Sequence, residues 1–210
     1  MSSMFWIVLA QFAGQAHAGE RWLQNDDFED GEVVTFMGGF VADECWVSIY
    51  EPEPGDYPFQ LKYIDMLVGG STSSHMFIAE FYGLDGADMT TASLLGEEAF
   101  SLTGSSTSWN RLTISELDLG LSPIDAGNVA VSICHFEHDE YPSIGVDSSR
   151  DAGDLSFIRG DIGLGTDWYS TDLLAMFGLD VGGDWIMRAC IQGASIDGSC
   201  GDADADADAD

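Results

Sequence analysis

From residue 25 onward, apolar and polar residues alternate at period two through most of the chain, with β-branched and aromatic side chains enriched in the runs. Successive side chains of a strand point to opposite faces, so this alternation predicts strands with one buried face, packed as two layers. The clearest runs are Cys45 to Tyr50, Phe59 to Val68, Met76 to Tyr82, Arg111 to Leu117, Asn128 to Phe136 and Trp185 to Gln192. Turn signals separate them, among them Pro52-Glu53-Pro54-Gly55, Leu84-Asp85-Gly86, Gly104-Ser105-Ser106, Asp125-Ala126-Gly127 and Gly182-Gly183-Asp184. In the last run Trp185, Met187, Ala189 and Ile191 share one face, expected to be buried. Arg188 and Gln192 share the other, where Arg188 is expected to look outward or meet a carboxylate.

One short helix is expected at 171–178. Thr171 suits the N-cap, Asp172 the positive helix start, and Gly178 the C-terminal stop. Leu173, Leu174, Met176 and Phe177 would give it an apolar face closing one end of the sandwich.

The chain opens differently. Its first eighteen residues carry no Asp, Glu, Lys or Arg, and Met4 to Ala10 is an apolar run too short to span a bilayer. Ala16-His17-Ala18 before Gly19 is a small-residue cleavage pattern, so residues 1–18 are expected to be a secretory signal peptide, although no basic n-region precedes them. Residues 19–200 then form one β domain. Residues 201–210, with aspartate at every second position from Asp202 to Asp210, are expected to be an extended acidic tail or linker.

Charge narrows the partners. The chain has 37 acidic residues against 6 Lys and Arg, a net charge of −31, which disfavours nucleic acid and anionic membranes. With 45% hydrophobic and 11% aromatic residues the body can still bury a core. Cys45, Cys134, Cys190 and Cys200 give an even count in an exported chain, which favours disulfides over zinc, since no C-x-x-C pair exists. Of the three pairings available, Cys190 with Cys200 and Cys45 with Cys134 is favoured. The glycine-containing loop between the former two can turn back on itself, and the latter two sit on strands.

Asn25-Asp26-Asp27-Phe28, Phe36 to Val41 leading into Glu44-Cys45-Trp46, the strand Val129 to Phe136, Ile144 to Asp147 and Gly183 to Ala189 follow one another in an order that resembles a known group. These are the jelly-roll-like β-sandwich domains of secreted and surface proteins in gliding, predatory and marine bacteria, myxobacterial types above all. The resemblance spans about residues 25–192 and implies an all-β, two-sheet antiparallel sandwich of jelly-roll-like topology, together with export. Such domains resemble carbohydrate-binding and adhesive modules, and the likeness carries no motif of functional residues.

Catalytic motifs are missing: there is no G-x-S-x-G elbow and no phosphate-cradling loop. His135, Glu137 and Asp139 would point one way on an extended strand and are the candidate metal ligands. The competing reading is a solvated strand end with a partly buried histidine. Calcium is the other candidate cofactor, held weakly by loop carboxylates such as Asp85 and Asp88, or Asp147, Asp151 and Asp154, since no EF-hand loop is present. Trp22, Trp109 and Trp168 fall near expected loops, where a ring could stack on a sugar, whereas Trp46 and Trp185 read as core.

The sequence therefore points to a non-catalytic secreted or cell-surface interaction module, serving adhesion, matrix or glycan binding. Two alternatives stay open: a polysaccharide hydrolase or lyase using paired carboxylates, and a structural subunit assembling through strand edges.

Overall fold

A computed structural model describes residues 18–69, 73–117, 119–137, 143–147, 155–161, 163, 165–176, 178 and 183–201, without the side chains of 106 and 107. The strands are β1 (Gly19–Leu23), β2 (Thr35–Met37), β3 (Cys45–Tyr50), β4 (Phe59–Gly69), β5 (Ser74–Leu84), β6 (Ser93–Thr103) and β7 (Ser105–Thr113). Then come β8 (Asn128–His135), β9 (Ser143–Asp147), β10 (Ser156–Asp161), β11 (Thr166–Ser170), β12 (Asp184–Trp185) and β13 (Met187–Gly193), with helix α1 (Thr171–Met176) between β11 and β12. The protein is an all-β, two-sheet antiparallel sandwich.

Among the described residues one sheet has seven strands, running β1-β13-β4-β9-β12, with β7 also on β4 and β2 also on β9. The other has six, in the order β11-β10-β3-β8-β5-β6. The chain crosses between layers at almost every step from β3 to β10, which gives the jelly-roll-like interleaving. The alternation explains the register: Trp46, Phe77, Phe81, Val131 and Ile133 from the six-stranded sheet meet Ile64, Met66, Trp185, Met187, Ala189 and Ile191 from the seven-stranded one. Each large side chain sealed there contributes about 1.5–3 kcal/mol. Tyr50 ties the layers directly, its hydroxyl donating to the carbonyl of Met187 at 2.7 Å, and burial pushes that hydroxyl's pKa well up.

Both expected disulfides are present, Cys45–Cys134 between register partners on β3 and β8, and Cys190–Cys200 closing the loop after β13. The first and last strands are neighbours, with Gly19 opposite Gly193. Gly19 has no room for a side chain, because a Cβ there would lie 2.0 Å from the carbonyl oxygen of Ile196.

Several expectations need correction. The run expected at Arg111 to Leu117 is strand only to Thr113, after which Ile114–Glu116 is a 3-10 turn, while the strand itself begins back at Ser105. The helix is capped by Ser170, whose hydroxyl accepts from the amide of Leu173, and Thr171 is the first helical residue. Of its expected apolar face Leu174 is buried, but Leu173 is 39% and Met176 83% exposed. A helix this short presents a single turn to the sandwich, and it buries only Thr171 and Leu174, three positions apart. Phe177 lies outside the described residues, and Gly178 ends the helix at φ +81° as expected.

Candidate functional site

The three candidate ligand-binding tryptophans, expected near loops, lie on strands: Trp22 on β1, Trp109 on β7 and Trp168 on β11, all at or near sheet margins. Marginal strands such as GERWL and TDWYS are short and polar, so their period-two signal is weak. All three rings are half-buried, and each has an arginine of its own chain against or near it.

Across the outer face of the seven-stranded sheet, Arg188, Asp65 and Arg111 occupy successive register positions on β13, β4 and β7. Arg111 donates to both carboxylate oxygens of Asp65 at 2.8 and 2.7 Å, and its guanidinium carbon lies 4.3 Å from the Tyr63 ring and 6.0 Å from that of Trp22. Arg188 donates to Asp26 and to the carbonyl of Phe28, and its guanidinium carbon lies 4.7 Å from the Trp109 ring. On the other sheet Arg159 and Trp168 are cross-strand partners 5.1 Å apart, with Arg159 donating to both oxygens of Glu80.

The carboxylates of these units are buried. Desolvation raises the pKa of Asp26 above its ordinary value, with the Arg188 hydrogen bond and charge pulling the other way and losing. Burial first, and then the charge of Glu80, pushes the Tyr82 hydroxyl well above its usual range. A guanidinium held between a carboxylate and a ring face is a rigid arrangement, worth roughly 0.5–2 kcal/mol for the cation–π contact alone.

Of the three tryptophans, Trp22 also borders an open cleft of about 470 Å³, while its ring packs edge-on to Tyr63 on the outer face of the seven-stranded sheet. Arg21, Gln24, Asn25, Tyr50, Glu51 and Glu53 line it as well. Arg21 is fixed by Asp56 at 2.6 Å and Glu53 at 3.0 Å, the Trp22 Nε1 donates to the carbonyl of Cys200 at 2.8 Å, and Asn25 donates to that of Ile49. The result is a cleft lined by amide, carboxylate and guanidinium groups with the half-buried Trp22 at its border, held in place by a strand and its neighbouring turn. The polar groups of such a lining can exchange hydrogen bonds with the hydroxyls of a polyhydroxylated ligand, and a tryptophan at the border offers apolar surface for a sugar face. Sequence reasoning selected Trp22 but missed its companions: Arg21 lies within β1, and the signal of the others was only that 24–25 and 51–53 follow strands and carry polar residues.

The candidate metal trio is not brought together. His135 is the last residue of β8 and is 3% exposed, stacked on Phe40 and edge-on to Trp46 and Phe77 at 5.1 and 5.0 Å. Glu137 is exposed beyond the strand end, where alternation no longer holds, and Asp139 lies outside the described residues. The described residues hold two places where three ligand-type atoms converge, Glu20–Cys190–Cys200 and Cys45–Glu80–Cys134, and both are built on disulfide sulfurs that cannot bind as thiolates. Of the calcium candidates, Asp88 instead accepts the amide of Thr90 at 2.8 Å, which lowers its pKa, and Asp147 accepts that of Asp27. Asp151 and Asp154 lie outside the described residues.

No family model matches the chain, and no curated protein matches it. Among solved structures it is similar to a variant of the clostridial cysteine protease Cwp84 after propeptide cleavage, with a TM-score of 0.51 and 9% identity. That match covers 82% of this chain and 40% of the other. A second structure, the cysteine protease and lectin-like domains of Cwp84, a surface layer associated protein of Clostridium difficile, aligns with a TM-score of 0.45 and 9% identity over 72% of this chain and 32% of that one. The likeness concerns the fold alone. A cysteine nucleophile has no counterpart among the described residues, where every cysteine is in a disulfide. No helix among them is long and apolar enough to cross a membrane. What these comparisons establish is the fold likeness alone, with no family to which the chain is assigned.

Proposed function

We propose that this protein is a non-catalytic, extracellular or cell-surface module that binds a glycan at the Trp22 cleft. The observation that carries the reading is one cleft bordered by Trp22 together with Arg21, Gln24, Asn25, Glu51 and Glu53. Export is supported by two disulfides and by β1 starting at Gly19, directly after the expected cleavage point. The strongly negative surface favours neutral or cationic polysaccharides over sulfated or uronic ones.

Glycan-array binding of the wild type and Trp22→Ala, in calcium and in chelator, tests it. The expected result is a neutral or amino-sugar glycan bound by the wild type and about tenfold more weakly by the variant, with Trp168→Ala unaffected. Absence of glycan binding, or equal binding by Trp22→Ala, would refute the assignment. Release of reducing ends from a polymer would instead place the protein with the carboxylate-dependent hydrolases.

A further inference from the structure

β6 is eleven residues long and ends the six-stranded sheet, paired with β5 on one side only. Among the described residues no backbone hydrogen bond is made from its other side. A bare edge of this length is a template for another strand. Its sequence says which strands it admits. The pairing with β5 skips Leu95, passing from Phe81↔Gly96 to Tyr82↔Leu94, and both leucines are exposed, at 51% for Leu94 and 44% for Leu95. Next along the edge stand Glu97 and Glu98, on opposite faces. Glu97 is exposed and lies across from Glu80, whereas Glu98 is half-buried on the face that carries Phe100 and Leu102 into the sandwich. No cation meets either carboxylate among the described residues.

We infer that the free edge of β6 is a docking site for an extended segment of a different, basic protein or peptide, one that presents two consecutive Lys or Arg residues opposite Glu97 and Glu98 and apolar residues opposite Leu94 and Leu95. Adjacent residues of an added strand point to opposite faces, so one adjacent basic pair answers both carboxylates at once. A second copy of this chain is a poor occupant. Edge-to-edge pairing would bring glutamates and two −31 bodies together, and the chain's six basic residues, at 21, 62, 111, 150, 159 and 188, include no adjacent pair. Among the described residues, every arginine is already bound to a carboxylate. The partner must therefore bring its own cations, and the field of the whole molecule speeds its encounter.

The probe is a short synthetic peptide with two adjacent lysines and two leucines one residue away, in a Thr/Val background. It is made in both sequence directions and compared with versions of equal charge interrupted by proline. Binding is measured by fluorescence anisotropy, and protection of β6 amides by hydrogen exchange. One direction of the uninterrupted peptide is expected to bind and protect the amides among residues 94–99 that point away from β5, with the proline version weaker by on the order of tenfold. Glu97→Gln/Glu98→Gln, which keeps side-chain shape, is expected to weaken binding on the order of tenfold, and Glu97→Lys/Glu98→Lys to abolish it, each checked for native circular dichroism. Equal binding of straight and proline-interrupted peptides, or binding with no added protection on β6, would show plain charge attraction and overturn the inference. Trp22→Ala should leave the peptide affinity unchanged, which separates this site from the glycan cleft.

Discussion

At the scale of single residues, the chain spends its few cations on buried anions. Arg188 and Asp26 illustrate the balance, since the Asp26 side chain is fully enclosed while Arg188 keeps 19% exposure. Replacing Arg188 by methionine strands that carboxylate and is expected to cost about 3 kcal/mol in urea denaturation at neutral pH. The pH dependence has a definite sign. The folded pKa of Asp26 lies above its ordinary value, so the native state holds this proton more tightly than the unfolded chain does. The stabilisation from that proton is complete below the ordinary Asp range and is lost as pH rises through the raised folded pKa. The stability difference between wild type and Asp26→Asn should therefore move in the variant's favour across that window. Carboxyl NMR titration of Asp26 reads the shift directly, and a midpoint at or below the ordinary value would contradict the burial argument.

Among elements, what the sequence made legible were the strands whose two faces differ. β3, β4, β5, β8 and β13 were all expected from their alternation, and the inward set Trp185, Met187, Ala189 and Ile191 is the set found in the core. What escaped were mostly marginal strands, together with the interior β10, a six-residue run interrupted by Arg159 and Gly160. β6 reads Leu-Leu-Gly-Glu-Glu and breaks alternation at its bulge, while β1 and β11 are five residues long and mostly polar. Their pairing partners, and not their own patterns, hold them extended. The candidate cleft was half legible for the same reason: tryptophan stands out in a sequence, but the polar residues that join it come from β1 and from the turn after β3.

The helix gives a clean contrast at this scale. Leu174→Ala, at 1% exposure, should cost about 2–3 kcal/mol, whereas Met176→Ala, at 83% exposure, should stay within about 0.5 kcal/mol in the same denaturation assay. The disulfides differ through the chain each encloses. With separations of 89 and 10 residues, the loop-entropy relation gives about 4.6 kcal/mol for Cys45–Cys134 and about 2.7 kcal/mol for Cys190–Cys200. Paired alanine variants should therefore lose more stability at the first bridge than at the second.

For the molecule as a whole, 37 carboxylates against 6 basic side chains make self-repulsion the term most open to manipulation. Raising ionic strength from about 0.01 M to about 0.15 M shortens the screening length from about 30 Å to about 8 Å. The partly buried arginine pairs are screened less than the dispersed surface charges, so the melting temperature should rise with added salt. A melting temperature that falls over that range would mean that attractive pairs outweigh the repulsion.

The adjacency of β1 and β13 has a mechanical side. Gly19 and Gly193 sit at the same end of an antiparallel ribbon, so tension applied through residues 19 and 201 peels the ribbon open one rung at a time instead of shearing all its rungs together. The Cys190–Cys200 bridge shifts the point of loading: pull on Gly201 passes through the sulfurs into Cys190, opposite Trp22, and spares the loop between them. A molecule tethered at both ends would yield its first strand at low force, from Gly19 inward, and keep the rest of the sandwich intact.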